Sequence, residues 1–359
     1  MMASAASQIV RTGRAAARVG VRPYVAADAP AWDAFVERCA EATFFHRVGW
    51  RQIIEDVFRH PTHYLVAERS GAIAGVLPLA EVKSRLFGHA LTSLPFAVYG
   101  GPAAGDAEAG RALIEAASAL ADTLDVDHLE MRNLAAKCPG WPQQDLYVRF
   151  RKALNPDPDA NLLAVPRKQR AMIRKGIRNG LRTEIDGSVD RFFALYADNV
   201  HRHGTPPYAK SYFARLAAIF GSACEIAVVT DARGRPLSGV MSFYFRDEVL
   251  PYYAGDTVAA RDLAANDFKY WDLMRRACER GARVFDYGRS KRDTGTFDFK
   301  KNWGFEPEPL HYEYRLRRGS AIPQNNPANP KYRALTALWR RLPRPVANAL
   351  GPMLTRNLG

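Results

Sequence analysis

Four cysteines in 359 residues, Cys39, Cys138, Cys224 and Cys278, are too far apart for a disulfide framework and form no CxxC pair that would hold zinc. A reduced compartment is expected. No segment approaches eighteen uninterrupted apolar residues, which excludes a conventional membrane-spanning helix. The opening stretch MMASAASQIVRTGRAAARVG has no acid and no apolar signal core, so residues 1–18 read as a basic tail and a cytoplasmic location is expected. Phosphate-loop, GxGxxG, HExxH and GxSxG patterns are all missing, which sets aside triphosphate hydrolysis, zincin chemistry and the hydrolase elbow. His201 and His203, in NVHRHGTPPY, have no neighbouring carboxylate or Cys and sit before a loop signature. No metal and no resident cofactor are expected.

Acids are in deficit: 37 Asp and Glu face 51 Lys and Arg, a formal charge of +14. Phosphorylated substrates, nucleic acids and anionic membrane surfaces all fit that charge. An apolar fraction of 47% with 11% aromatics describes a globular chain with a substantial core.

The hydrophobic periodicity runs twice through the same order. The first half offers a strand near 19–25, a helix near 30–39, a turn and helix in FFHRVGWRQIIEDVF, then the strands HYLVAER, GAIAGVLPLAEVK and LTSLPFAVYGGP. A helix from about 107 to 122 and the strand DHLEMRN follow. The second half gives CEIAVVT, LSGVMSFYFRDE, EVLPYYAGD, a helix DFKYWDLMRRACERG and the strand ARVFDYG. Local matches such as SLPFAVYGG with VLPYYAGD recur at an offset of about 160 residues, the spacing of a duplicated domain. The expected layout is a basic tail (1–18), a first α/β domain (19–155), a second (156–318) and a basic Pro-rich tail (319–359).

The linker between the copies leads into the most basic element of the chain. Arg167, Lys168, Arg170, Arg174, Lys175, Arg178 and Arg182 precede the next acid, Glu184. Leu162, Val165, Ile173, Ile177 and Leu181 give that helix an apolar stripe, so one face is expected to pack and the other to form a cationic ridge. After Glu313 there is no acidic residue at all, and leucines, a Trp and arginines alternate in fragments broken by prolines. That tail is read as docking either on the protein or, peripherally, on an inner-membrane surface.

TFFHRVGW, VYGGP, RKQRAMIRKGIRNGLRTEI and GTFDFKKNWGF, in that order, resemble the motifs of the FemAB family of aminoacyl- and peptidyl-transferases. The resemblance covers roughly residues 19–316. GTPPY, FDYGRS and the basic tail look nearest to FemAB-related proteins of PEP-CTERM/exosortase and exopolysaccharide systems. It implies an α/β (α+β) fold of two tandem GNAT-like domains with mixed, largely antiparallel sheets. It further implies transfer of an acyl or aminoacyl group to an amine of a cell-envelope, peptidoglycan or exopolysaccharide precursor. Two departures are plain: AGDTVAARDLAANDF lacks the Gly-rich pyrophosphate cradle of acetyl-CoA-dependent domains, and no heptad run supplies the coiled-coil arm of some relatives.

By that resemblance Lys300 takes the Phe-Lys position and would stabilise the tetrahedral oxyanion. Asp286 would orient a base or the substrate amine, or else pair with Arg289. Lys168, Arg170 and Arg174 would grip phosphates, while Tyr99, Tyr253, Arg289, Lys291 and Trp303 would line the substrate cleft. The implied partners are an anionic activated acyl donor, aminoacyl-tRNA among them, and a nucleotide- or lipid-linked acceptor. An acyl-CoA- or acyl-carrier-dependent N-acyltransferase, and a non-catalytic RNA or membrane-surface binder, stay open as alternatives.

Overall fold

The computed structural model describes residues 18–84, 88–319, 321–322 and 336–357. Strands β1 (Gly20–Pro23), β2 (Leu65–Arg69), β3 (Ala72–Leu77) and β6 (Ala103–Ala104) form one sheet in the order β1-β2-β3-β6. Pro78 cannot donate to a ladder, and there the chain leaves β3 and enters a second sheet. That sheet is ordered β4-β5-β7-β16-β8, from β4 (Leu79–Ser84), β5 (Gly88–Ser93), β7 (His128–Asn133), β8 (Gln143–Gln144) and β16 (His311–Leu316). The third is ordered β10-β11-β12-β13-β14-β9-β15. It comprises β9 (Tyr147–Ala153), β10 (Arg182–Ile185), β11 (Cys224–Thr230), β12 (Pro236–Phe245), β13 (Glu248–Asp256), β14 (Val284–Lys291) and β15 (Pro307–Pro309).

Each half contains one parallel strand pair. β5 runs parallel to β7 at residues 90–92 and 128–130, and β13 runs parallel to β14 only at Glu248 and Val249 opposite Val284 and Phe285. Beyond those rungs β13 and β14 part. The crossovers are helices: α3 (Ala107–Thr123) presents Ala109, Leu113, Ala117 and Ala121 at fourfold spacing to the first core, and α8 (Ala265–Glu279) serves the second.

The halves exchange strands. β9, on the first side of the expected boundary at 155, pairs with β14 and β15 in the third sheet, while β16 lies between β7 and β8 of the second. Glu313 of β16 fixes this exchange: fully buried, it accepts hydrogen bonds from Asn133 Nδ2 (2.6 Å) and from the backbone N–H groups of Lys137 and Cys138 (2.9 Å each). One large aromatic core also joins the halves, with Phe44 stacked on Phe243 at 4.5 Å. TFFHRVGW is therefore an anchor between the two copies. It leads from α1 (Ala29–Arg38) through a short 3-10 turn into α2 (Gly49–Asp56).

Two local readings change. The strand read through LTSLPFAVYGGP is shorter: β5 stops at Ser93, and Leu94 to Pro102 is an irregular segment with Leu94 and Phe96 at positive φ. The basic helix is broken at Pro166 into α4 (Pro158–Ala164) and α5 (Arg167–Arg178), so Ile177 faces solvent and Arg182 starts β10. His201 and His203 lie in α6 (Asp190–His203), which Gly204 terminates in the left-handed region, and α7 (Lys210–Phe220) follows. The Thr-Gly-Thr sequence starts α9 (Gly295–Asn302), capped by the Thr294 side chain. The final helix is α10 (Arg344–Thr355); the Pro/Asn-rich stretch at 323–335 lies outside the described residues.

Candidate active site at the junction of the two halves

The DYGR sequence is a β-bulge. Asp286 stands opposite Arg151 of β9 and Arg289 opposite Arg149, so Tyr287 and Gly288 together face a single residue, Phe150. Gly288 adopts φ +64°, where a side chain would be strained. The bulge turns three carbonyls to one side, and Lys300 of α9 meets them: its Nζ donates to the carbonyls of Tyr287 (2.8 Å), Arg289 (3.0 Å) and Gly288 (3.4 Å). An ammonium has three N–H groups, and these acceptors use them all. Lys300 thus holds the bulge from beneath instead of facing a cleft as an oxyanion donor. Burial brings its pKa down to about 7, with the nearby Asp286 charge acting the other way.

Above the bulge, a carboxyl and a phenol meet across the two halves. Asp286 is buried, accepts the Gly288 N–H on one oxygen (2.7 Å), and accepts the Tyr99 hydroxyl on the other (3.0 Å). Burial raises the pKa of Asp286; these two hydrogen bonds and the charges of Arg149 and Arg151 partly offset it. Burial and the Asp286 charge both keep the Tyr99 proton on its oxygen.

Tyr99 is aimed by the two glycines that follow it. A Cβ on Gly100 would lie 2.5 Å from the Ser93 carbonyl, and one on Gly101 would lie 1.8 Å from Asn133 Oδ1. Both N–H groups donate to the Arg132 carbonyl. The glycines admit a close backbone approach, here to the protein itself. His46 secures the loop: its Nδ1 accepts the Thr43 N–H (3.0 Å), so its Nε2–H donates to the Gly101 carbonyl (2.8 Å). Burial holds His46 down to about 4, neutral at physiological pH. A cavity of about 170 Å³ lies against this loop, with Tyr99, Gly101, Arg132, Asn133 and Lys137 in its wall.

Arg289 does not pair with Asp286. Its guanidinium donates to the Tyr312 hydroxyl (3.0 Å), lies 4.7 Å from the Tyr147 ring centroid, and has no ion-pair partner among the described residues. Tyr312 in turn donates to the Val98 carbonyl (2.7 Å). Arg132 also lies 5.5 Å from the Tyr312 ring centroid, but its charge is met by Glu130 (2.9 Å). Arg289 is therefore a half-buried, permanently charged group still open to an anion. Lys291, on the same strand, lies 5.8 Å from the Tyr147 ring, and burial lowers its pKa.

The other candidates fall elsewhere. Tyr253 shares a hydrogen bond with Tyr212 (2.7 Å) inside the aromatic core; its neighbour Tyr252 reaches the first half, donating to the Phe96 carbonyl (2.8 Å). Trp303 is fully buried and donates to Asp267 (3.1 Å), a packing role. Lys168 and Arg174 are exposed on α5, and half-buried Arg170 donates to the Leu163 carbonyl (3.2 Å); none of the three forms an ion pair among the described residues. Arg132, Arg149, Tyr147 and Tyr312 belong to the site without having been singled out. For Arg132 a signal existed: HLEMRN alternates His, Glu and Arg along a strand buried on both faces, and charges there must meet partners inside.

The N-terminus of α8 is closed to ligands. Ala264 and Ala265 are buried, Asn179 donates to the Leu263 carbonyl, and a Cβ on Gly176 of α5 would lie 2.8 Å from Phe268. The N-terminus of α3 carries its own anion, Asp106, which caps Ala109 and is held at about 2 by Arg69.

Two parallel-paired α/β halves with a polar site at their junction define a tandem GNAT-like fold. Residues 167–301 match the model of the Acetyltransferase (GNAT) domain, and the class is that of GNAT-type acyltransferases. Among solved structures the chain is similar to FemX, at 15% identity and TM-score 0.66, covering 82% of this chain and 97% of that one. It is similar also to the C-terminal domain of a putative lysylphosphatidylglycerol synthetase from Agrobacterium fabrum (15%, TM-score 0.57, 82% and 93%). A tandem GNAT protein from the clavulanic acid biosynthesis pathway aligns at 15% with TM-score 0.51, over 85% of this chain and all of that one. A search of curated sequences gives no match.

Proposed function

We propose that the protein transfers an acyl group, of aminoacyl type, from an activated ester to an amine of a cell-envelope or exopolysaccharide precursor, at the junction of its halves. The observation that carries the reading is the buried Tyr99–Asp286 pair beside the unneutralised Arg289. The amine nitrogen attacks the ester carbonyl carbon and a tetrahedral oxyanion forms. The amine proton passes to Tyr99 Oη as the phenol proton moves to Asp286, whose raised pKa suits it to receive one. As the carbon–oxygen bond of the donor breaks, that proton returns to the leaving oxygen. Arg289 offers fixed positive charge to the oxyanion or to an anionic group of the substrate. Lys300 is a positioning residue, acting through the bulge. The cationic face of α5 would hold the phosphates of a nucleotide-, lipid- or tRNA-linked partner. The FemX and lysylphosphatidylglycerol synthetase likenesses support an aminoacyl donor, and the FDYGRS and GTPPY segments support the exopolysaccharide setting.

One observation favours a second reading, transfer from acyl-CoA or an acyl carrier: a groove of about 890 Å³ beside α3, with Arg38, Arg111 and Lys137 in its wall. Asp106 at the same groove opposes a pyrophosphate there. Calorimetric titration with coenzyme A separates the two, since saturable binding supports the second reading and its absence the first. For the site itself, Asp286→Asn should abolish transfer in a folded protein; retained transfer would remove Asp286 from the mechanism.

A further inference from the structure

Among the described residues, ten large hydrophobic side chains are exposed, and five of them, Leu338, Val346, Leu350, Met353 and Leu354, lie within one short C-terminal stretch. Val346, Leu350, Met353 and Leu354 recur at helical spacing and make one stripe on the outer face of α10. No charged residue interrupts that helix between Arg344 and Arg356.

The inner face of the same helix is docked. Ala347, Gly351 and Thr355 are buried, and a Cβ on Gly351 would lie 2.5 Å from the Pro207 ring. Polar contacts fix the helix near both ends: Arg344 pairs with Asp198 (2.6 Å), and His60 bonds the Arg356 carbonyl (2.7 Å). His201 bonds the Leu342 carbonyl (3.0 Å) just before it. The apolar stripe is therefore held outward by its own docking.

Arg340, Arg341, Arg344 and Arg356 flank the stripe and are all exposed. A second copy of this chain would be a poor occupant: a twofold contact through α10 sets like cations against each other, and although Asp198 meets Arg344, Arg340, Arg341 and Arg356 form no ion pair among the described residues. An anionic bilayer supplies both requirements, acyl chains for the stripe and headgroup phosphates for the guanidiniums. No helix among the described residues is long and apolar enough to cross a membrane, so the contact lies in the interface plane. We propose that α10 docks the protein on anionic lipid surfaces. This inference is independent of the acyl-transfer reading.

The test is sedimentation of the full chain with vesicles of phosphatidylcholine alone or mixed with phosphatidylglycerol. Binding is expected to the mixed vesicles, to weaken with salt, and to fall about tenfold or more when Val346, Leu350, Met353 and Leu354 are all replaced by Ser. Arg340→Glu with Arg341→Glu should lower it by a similar factor. Thermal melting checks that both variants fold. Undiminished binding by the folded serine variant would overturn the proposal. So would a wild-type dimer that the serine substitutions dissociate, because the stripe would then be covered by a second copy.

Discussion

Lys300→Met is the perturbation that most sharply separates a residue that holds the site from one that touches substrate. The change keeps the aliphatic bulk and removes the donor of three carbonyls, two of them at ordinary distances of 2.8 and 3.0 Å and one at 3.4 Å. A buried acceptor left without a donor costs about 1–3 kcal/mol, so the two good contacts amount to roughly 2–6 kcal/mol. The ammonium's own desolvation, which brings its pKa down to about 7, is relieved in the variant. That relief offsets part of the lost contacts, so the net loss is at most about 4 kcal/mol. With unfolding entropy of about 2.1 cal/mol/K per residue across 359 residues, Tm falls by about 5 °C at most. The pH dependence adds a signature. The amine's pKa is depressed from 10.5 to about 7 in the folded state, so across that window the unfolded chain holds a proton the folded chain has lost. This group's contribution to stability therefore rises with pH over the window, and the Met variant lacks the rise. Calorimetric melts from pH 7 upward, beside a transfer assay, read both effects. Wild-type and Met melts that run parallel across that pH window, with transfer abolished, would refute the reasoning and place the ammonium on the substrate.

Glu313→Ala strips the acceptor from Asn133, Lys137 and Cys138 and should cost about 3–5 kcal/mol in denaturant unfolding, with Glu313→Gln intermediate. Arg289→Lys keeps the charge but loses the planar fork that spans Tyr312 and Tyr147; KM for an anionic substrate should rise roughly tenfold with Tm nearly unchanged. Arg170→Glu combined with Arg174→Glu should leave Tm within about 2 °C while weakening binding of a phosphate-bearing partner and flattening its salt dependence, as measured by fluorescence anisotropy.

Most of the strands and helices were readable because their periodicity is clean: β11, β13 and α8 fall where the alternation and the three- and four-residue spacing put them. The tandem architecture followed from the repeat. The strand exchange did not, because nothing local in YVRFRKA or HYEYRL says which sheet they will join; that choice depends on partners more than a hundred residues away. One miss was local and legible: Pro166 marks a helix break. The site was half visible. Asp286, Arg289 and Lys300 lie together as expected, but their division of labour turns on one extra residue in β14. That bulge gives Lys300 its carbonyls and separates Asp286 from Arg289. Tyr99 joined the site through an irregular segment whose path is set by Gly100 and Gly101 pressing on β5 and β7, a contact that short-range pattern does not reveal.

The central claim, a single acyl-transfer site built on Tyr99 and Asp286, is tested most directly by mass spectrometry of envelope glycans and lipid-linked precursors from cells carrying wild-type or Asp286→Asn protein at equal abundance. Burial raises the carboxyl's pKa, so its ionised form is a cost to the fold at neutral pH, and Asn should leave Tm equal or higher. The account predicts an acyl or aminoacyl mass shift with the wild type, and its loss with Asp286→Asn by a factor of about 10²–10⁴. The same mass shift, at the same level, from the Asn variant would contradict it.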